Sequence, residues 1–130
     1  MTETTSQIIA AFVESPVAVP LAEEVILQDH AQDRVYQGRG AVEGVLRAFF
    51  VAGFPGAQFE VHSSTAGETS AVLEFDLHGK QDGPFLGIPA TGREVVLPMV
   101  IVCQISDGQV RRLSLYYDAG SLLRQLGLAL

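Results

Sequence analysis

The stretch Val95-Val96-Leu97-Pro98-Met99-Val100-Ile101-Val102-Cys103-Gln104-Ile105-Ser106 leads into Asp107-Gly108 and returns as Gln109-Val110-Arg111-Arg112-Leu113-Ser114-Leu115-Tyr116-Tyr117-Asp118. Two long runs rich in β-branched residues flank an Asp-Gly pair, the residue types that tolerate the positive φ values of a tight hairpin turn. The spacing predicts antiparallel strands over 94–106 and 109–118, then a short helix over 119–126. Asp118 stands where the last strand ends. A carboxylate there is either the cap of the following helix or a catalytic group. Strand alternation puts Arg112, Ser114, Tyr116 and Asp118 on one face and Arg111, Leu113, Leu115 and Tyr117 on the other. The polar face is expected to meet water, a cavity or a partner, and partial closure by the helices would leave a pocket with Asp118 and Tyr116 on its wall. The apolar stripe Leu113, Leu115 and Tyr117 is expected to serve sheet-face association.

Working outward, Gln58 to Ser63 and Ser70 to His78 read as two more strands, and Gly79 to Gly92 as a long connection rich in glycine and proline. Upstream, Val42, Val45, Leu46, Phe49 and Phe50 share one side of a helix that starts after Gly38-Arg39-Gly40 and stops near Gly53-Phe54-Pro55-Gly56. Arg34 to Gly38 predicts a short strand, and Val25 to Asp29 a first one. Leu21 to Val25 reads as a short helix. Ile8, Ile9, Phe12 and Val13 recur at helical spacing, with Thr5 or Ser6 as the expected cap. Helices followed by a run of strands predict an α+β domain spanning 1–130, with helices covering one face of a curved antiparallel sheet.

Composition narrows the function classes. The chain has 130 residues, a hydrophobic fraction of 48%, a net charge of -7 and only 8 Lys+Arg. One core is expected. No basic run exists to meet nucleic acid or an anionic membrane. The start, Met1 to Ser6, has no basic segment followed by an apolar one, and Pro98 interrupts the longest apolar run; a soluble cytoplasmic protein is expected. Cys103 reads as a buried core thiol.

Other chemistry-bearing residues are scattered. No G-x-S-x-G, P-loop or dinucleotide-binding glycine pattern occurs. His30, His62 and His78 show no metal-ligand spacing beside a carboxylate cluster, so no metal ligands are expected. Glu74, Asp76 and His78 alternate on one strand face, which reads first as a solvated face and second as a source of an additional acid/base.

Three segments together resemble the SnoaL-like polyketide cyclases of the nuclear transport factor 2-like superfamily. Tyr36-Gln37-Gly38-Arg39-Gly40-Ala41-Val42 is similar to the family's G-x-x-A-[IV] helix entry. Gly83-Pro84-Phe85-Leu86-Gly87-Ile88-Pro89-Ala90-Thr91-Gly92-Arg93 resembles its G-x-F-x-G-x-x-x-T-G-R signature. Asp107-Gly108-Gln109-Val110, Tyr116-Tyr117-Asp118 and Leu123 to Gly127 resemble its D-G-K-[IV], aromatic-D and Q-L-G ending. The chain departs from the pattern at Gln109, where the family has Lys, and at Gln81, where many relatives carry His.

The resemblance implies a cone-shaped fold, a bent antiparallel sheet wrapped by amino-terminal helices around a deep apolar pocket. It implies Asp118 as general acid/base for intramolecular aldol ring closure or isomerisation of an apolar polyketide-like or polycyclic substrate, without metal or cofactor. Tyr116 or Gln104 would donate to an enolate oxygen, and Ser114, Phe85, Tyr36 and Phe50 would complete the substrate contacts. A homodimer joined through the sheet face is expected. The alternative is a non-catalytic binding or accessory protein of the same fold, in which Asp118 only caps a helix. Epoxide hydrolysis, with Arg93 reaching in from a neighbouring strand, ranks lower.

Overall fold

A computed structural model describes residues 2–128. Helix α1 (Thr2–Glu14) is followed by strands β1 (Leu21–Asp29) and β2 (Arg34–Gln37), helix α2 (Arg39–Arg47), strands β3 (Gln58–Ala66), β4 (Ser70–Lys80), β5 (Glu94–Ser106) and β6 (Gln109–Tyr117), and helix α3 (Ala119–Gln125). The strands form one sheet in the order β2-β1-β6-β5-β4-β3. The expected hairpin is β5–β6, with Ser106 opposite Gln109. Its turn residues Asp107 and Gly108 both have positive φ, 53° and 71°, the geometry that matches strand twist in a two-residue loop. The sheet is not wholly antiparallel: β1 runs parallel to β6. Among the described residues, no helix is long and apolar enough to cross a membrane.

The segment Leu21–Val25 is strand, not the expected helix. The pairing of β1 with β6 shifts register between Leu21 and Ile26. That irregularity buries the neighbours Leu21 and Ala22 and then Val25, Leu27 and Asp29. Apolar positions at 21, 22 and 25 imitate helical spacing, and only the continuation through Leu27 and Asp29 reveals the period of two. At the amino terminus Thr5 lies inside α1 instead of capping it, buried, with its hydroxyl donating to the Gly67 carbonyl oxygen at 2.5 Å.

One face of the sheet is interior. Leu73, Phe75 and Leu77 of β4, Leu97, Met99, Ile101 and Cys103 of β5, and Leu113 and Leu115 of β6 are buried there. Ile8, Ile9 and Phe12 of α1 and Val42 and Leu46 of α2 cover them. The expected association stripe Leu113, Leu115 and Tyr117 therefore belongs to the core, because the apolar face of a strand is the one its helices cover. After α2 the chain makes a π-helical turn, Ala48–Ala52, whose extra residue per turn accompanies burial of both Phe49 and Phe50. Helix α3 is fastened to β5: Gln125 accepts from Val96 N–H at 2.8 Å and donates to the Val96 carbonyl at 2.9 Å.

Candidate active site

Asp118 is exposed, and its Oδ1 accepts the Ser121 N–H at 3.1 Å as the N-cap of α3. Tyr116 is 43% exposed on the outer face and stacks on His30, the rings 4.2 Å apart and 5° from parallel. Gln104 and Ser114 point to that same outer side by alternation, Gln104 exposed and Ser114 buried between neighbouring strands. The polar face of β6 thus faces away from the helices, so the expected set of Asp118, Tyr116, Gln104 and Ser114 does not assemble around an interior pocket. Phe85, Phe50 and Tyr36 do lie on the interior side.

The interior is filled differently from the deep pocket expected. All seven phenylalanines of the chain join one network of ring contacts. It runs from Phe75 through Phe59 and Phe12 to Phe50, Phe49, Phe85 and Phe54. What remains is a cavity of about 160 Å³ lined by Gln32, Phe85, Leu86, Ile88, Tyr117, Ala119, Leu122 and Leu123. Wider hollows, of about 370 Å³ beside the Asp107-Gly108 turn and about 350 Å³ beside Pro55 and Lys80, are lined by none of these residues.

Behind Gln32 and Tyr117, which line the 160 Å³ cavity, lies a buried carboxylate hydrogen-bonded to both, one that sequence reasoning passed over. Asp29 is 3% exposed. Its Oδ2 accepts the Tyr117 hydroxyl at 2.7 Å and Gln32 Nε2 at 3.1 Å, and its Oδ1 accepts the Gln32 N–H at 3.0 Å. Gln32 Nε2 also donates to the Tyr117 oxygen at 2.6 Å. Burial, and next the hydrogen bond to Asp29, push the Tyr117 phenol well above its ordinary range, with a smaller contribution from Tyr36. Tyr117 therefore stays a proton donor at any physiological pH. The ring is fixed by an edge contact with Phe49 at 5.2 Å. Two signals pointed here: Asp29 continues the inward alternation of Val25 and Leu27, and Tyr117 that of Leu113 and Leu115.

The cavity's other wall is the connection 81–93. Phe85 and Ile88 bond reciprocally through their backbones, at 2.9 and 2.8 Å, around Leu86 and Gly87, both with positive φ. Leu86 at φ 50° is in a conformation that costs a residue with a Cβ. Buried Gln81 holds the loop: its Oε1 accepts Thr91 N–H at 3.0 Å and the Thr91 hydroxyl at 2.6 Å, while its Nε2 donates to the carbonyls of Gly83, Ile88 and Pro89. A Cβ on Gly83 would collide with the Ala52 carbonyl oxygen. The residues of the G-x-F-x-G-x-x-x-T-G-R pattern thus build a plug, with Phe85 as its tip.

The sequence profile of the SnoaL-like polyketide cyclases matches residues 9–126. The chain belongs to that family. Its fold is shared with a protein of Jannaschia sp. CCS1 provisionally designated a SnoaL-like polyketide cyclase (TM-score 0.85, 21% identity, covering 96% of this chain and 92% of that one). A provisionally designated polyketide cyclase of Xanthomonas campestris pv. campestris is similar at a TM-score of 0.79, 24% identity, and coverage of 96% and 98%. A Catenulispora acidiphila protein with a ketosteroid isomerase-like fold, solved with trimethylamine, is similar at a TM-score of 0.76, 19% identity and 95% coverage of each chain. Among curated proteins, none matches the sequence.

Proposed function

We propose that the protein is a cofactor-independent general acid/base enzyme of the cyclase or isomerase type, acting on an apolar, polyketide-like ketone. The observation that carries this reading is the buried Asp29 carboxylate hydrogen-bonded to Gln32 and Tyr117, two half-buried residues that line an apolar cavity. Tyr117 and Gln32 meet the ligand. The substrate carbonyl replaces Asp29 as acceptor of the Tyr117 hydroxyl, which releases Asp29 Oδ2 to take a proton from the adjacent carbon. The electron pair moves onto the carbonyl oxygen, where Tyr117 stabilises the enolate in a water-poor site. The enolate then attacks a second carbonyl and recovers the proton at the new alkoxide, which closes a ring. Reprotonation at another carbon instead gives an isomer.

A cavity of about 160 Å³ receives a fragment, whereas pockets for larger ligands run to ~300 Å³ or more. A polycyclic substrate therefore requires Phe85 and its loop to withdraw. Asp118 contributes by seating α3, whose Leu122 and Leu123 form part of the wall.

The test is deuterium incorporation into β-tetralone, a small bicyclic ketone, in D2O. Wild-type protein is expected to accelerate exchange over buffer, and Asp29→Asn and Tyr117→Phe each to lose about 10²–10⁴-fold of that acceleration while keeping the native circular dichroism spectrum. Exchange at the wild-type rate in both variants, or none by wild type across a panel of such ketones, would count against the reading.

A further inference from the structure

The outer face of the sheet carries a second cluster, on the side opposite Asp29. On β3 and β4, Glu60 pairs with Asp76 across the strands, and Gln58 with His78. The register then shifts between Val61 and Ser63. A bulge of this kind re-aims the side chain at the extra residue, here His62. His62 Nε2 stands 3.0 Å from Asp76 Oδ2, and His78 Nε2 stands 2.8 Å from Glu60 Oε1. One donor atom each from Glu60, His62 and Asp76 lies within 4.8 Å of the others. Ser63 holds Glu74 at the border of the group, its hydroxyl donating to Glu74 Oε1 at 3.1 Å.

We propose that Glu60, His62 and Asp76 form a binding site for a divalent transition-metal ion of the zinc class, with His78 orienting Glu60. The donor set decides the class. One imidazole and two carboxylates suit a borderline ion such as Zn²⁺. Ligand distances of about 2.0–2.2 Å put tetrahedral donors about 3.4 Å apart, a contraction that exposed Glu60 and His62 can make toward half-buried Asp76. A metal-bound carboxylate is commonly held by a second group, the place His78 occupies beside Glu60. The three ligands leave one tetrahedral position for water or a small anion. A shallow cavity of about 120 Å³ opens beside His62 and Asp76, floored by Pro98 and Tyr116, and gives that position access from solvent. Glu74 beside the group adds a third carboxylate that favours a cation at this face. Glu60 and His62 lie two residues apart on β3, but Asp76 joins them only through the pairing of β3 with β4, which is why spacing along the chain did not predict the group.

Zn²⁺ alone, titrated calorimetrically into tag-free full-length protein, tests the assignment. One equivalent is expected to bind. His62→Asn and Asp76→Asn should each weaken it by more than the roughly 10–100-fold that follows loss of an orienting group. His78→Asn should fall within that 10–100-fold range, and His30→Asn should leave binding unchanged. With Co²⁺ as probe, wild type should show visible ligand-field absorption that His62→Asn lacks. Failure of Zn²⁺ to bind, or binding that survives His62→Asn and is lost in His30→Asn, overturns the proposal.

Discussion

Two aspartates end neighbouring strands of this sheet, and their surroundings divide the work between them. Asp118 is exposed and spends Oδ1 on the first turn of α3. Asp29 is buried, and among the described residues its carboxylate accepts from Gln32 and Tyr117. A cap depends on having an oxygen acceptor, not on charge. Asp118→Ala should therefore destabilise the protein by about 1 kcal/mol, a fall in Tm of roughly 4 °C, whereas Asp118→Asn should stay close to wild type. Thermal melts of the two variants check this. Equal losses in both would mean that the carboxylate charge, rather than the cap, is what matters at this position.

At the scale of elements, the site depends on the connection 81–93 and on α3. The Gln81 side chain gathers five hydrogen bonds and is fully buried. Gln81→Ala leaves the Thr91 N–H and three carbonyls without that partner, and is expected to cost about 1–3 kcal/mol. Amide hydrogen exchange should show lost protection concentrated in Phe85, Ile88 and Thr91, with little change in β5 and β6; uniform loss across the sheet would show that Gln81 supports the whole fold instead of the loop. The resemblance identified this loop before any physical reason was visible. The structure supplies the reasons: close approach at Gly83, positive φ at Gly87 and Gly92, and the Gln81–Thr91 tie. A Cβ on Gly127, at φ 77°, would come within 2.8 Å of Arg93, so the signature's last residue packs against the Q-L-G ending. Such contacts join distant segments and leave no periodic trace in the sequence.

At the scale of the molecule, the hairpin, the helix over 119–126 and the α+β class were legible, because turn chemistry and period-two patterning are local. Which face of β6 is interior was not. Both faces could be read from the sequence, but an expected pocket drew the polar one inward, whereas the covering helices enclose the apolar one. The parallel pairing of β1 with β6 depends on long-range assembly and was likewise out of reach. Cys103 reports on that enclosed face. It is 1% exposed, and burial pushes its thiol up to about 12. In native protein at mildly alkaline pH it should resist iodoacetamide and react only through global unfolding; modification at the rate of a free thiol would contradict the burial of this face. The central claim, that the chemistry lies inside the cone at Asp29 rather than at the rim at Asp118, is tested most directly by the initial rate of deuterium incorporation into β-tetralone, measured side by side for Asp29→Asn and Asp118→Asn. Catalysed exchange is expected to be lost in Asp29→Asn and to stay near wild type in Asp118→Asn; the reverse result would put the chemistry at Asp118 instead.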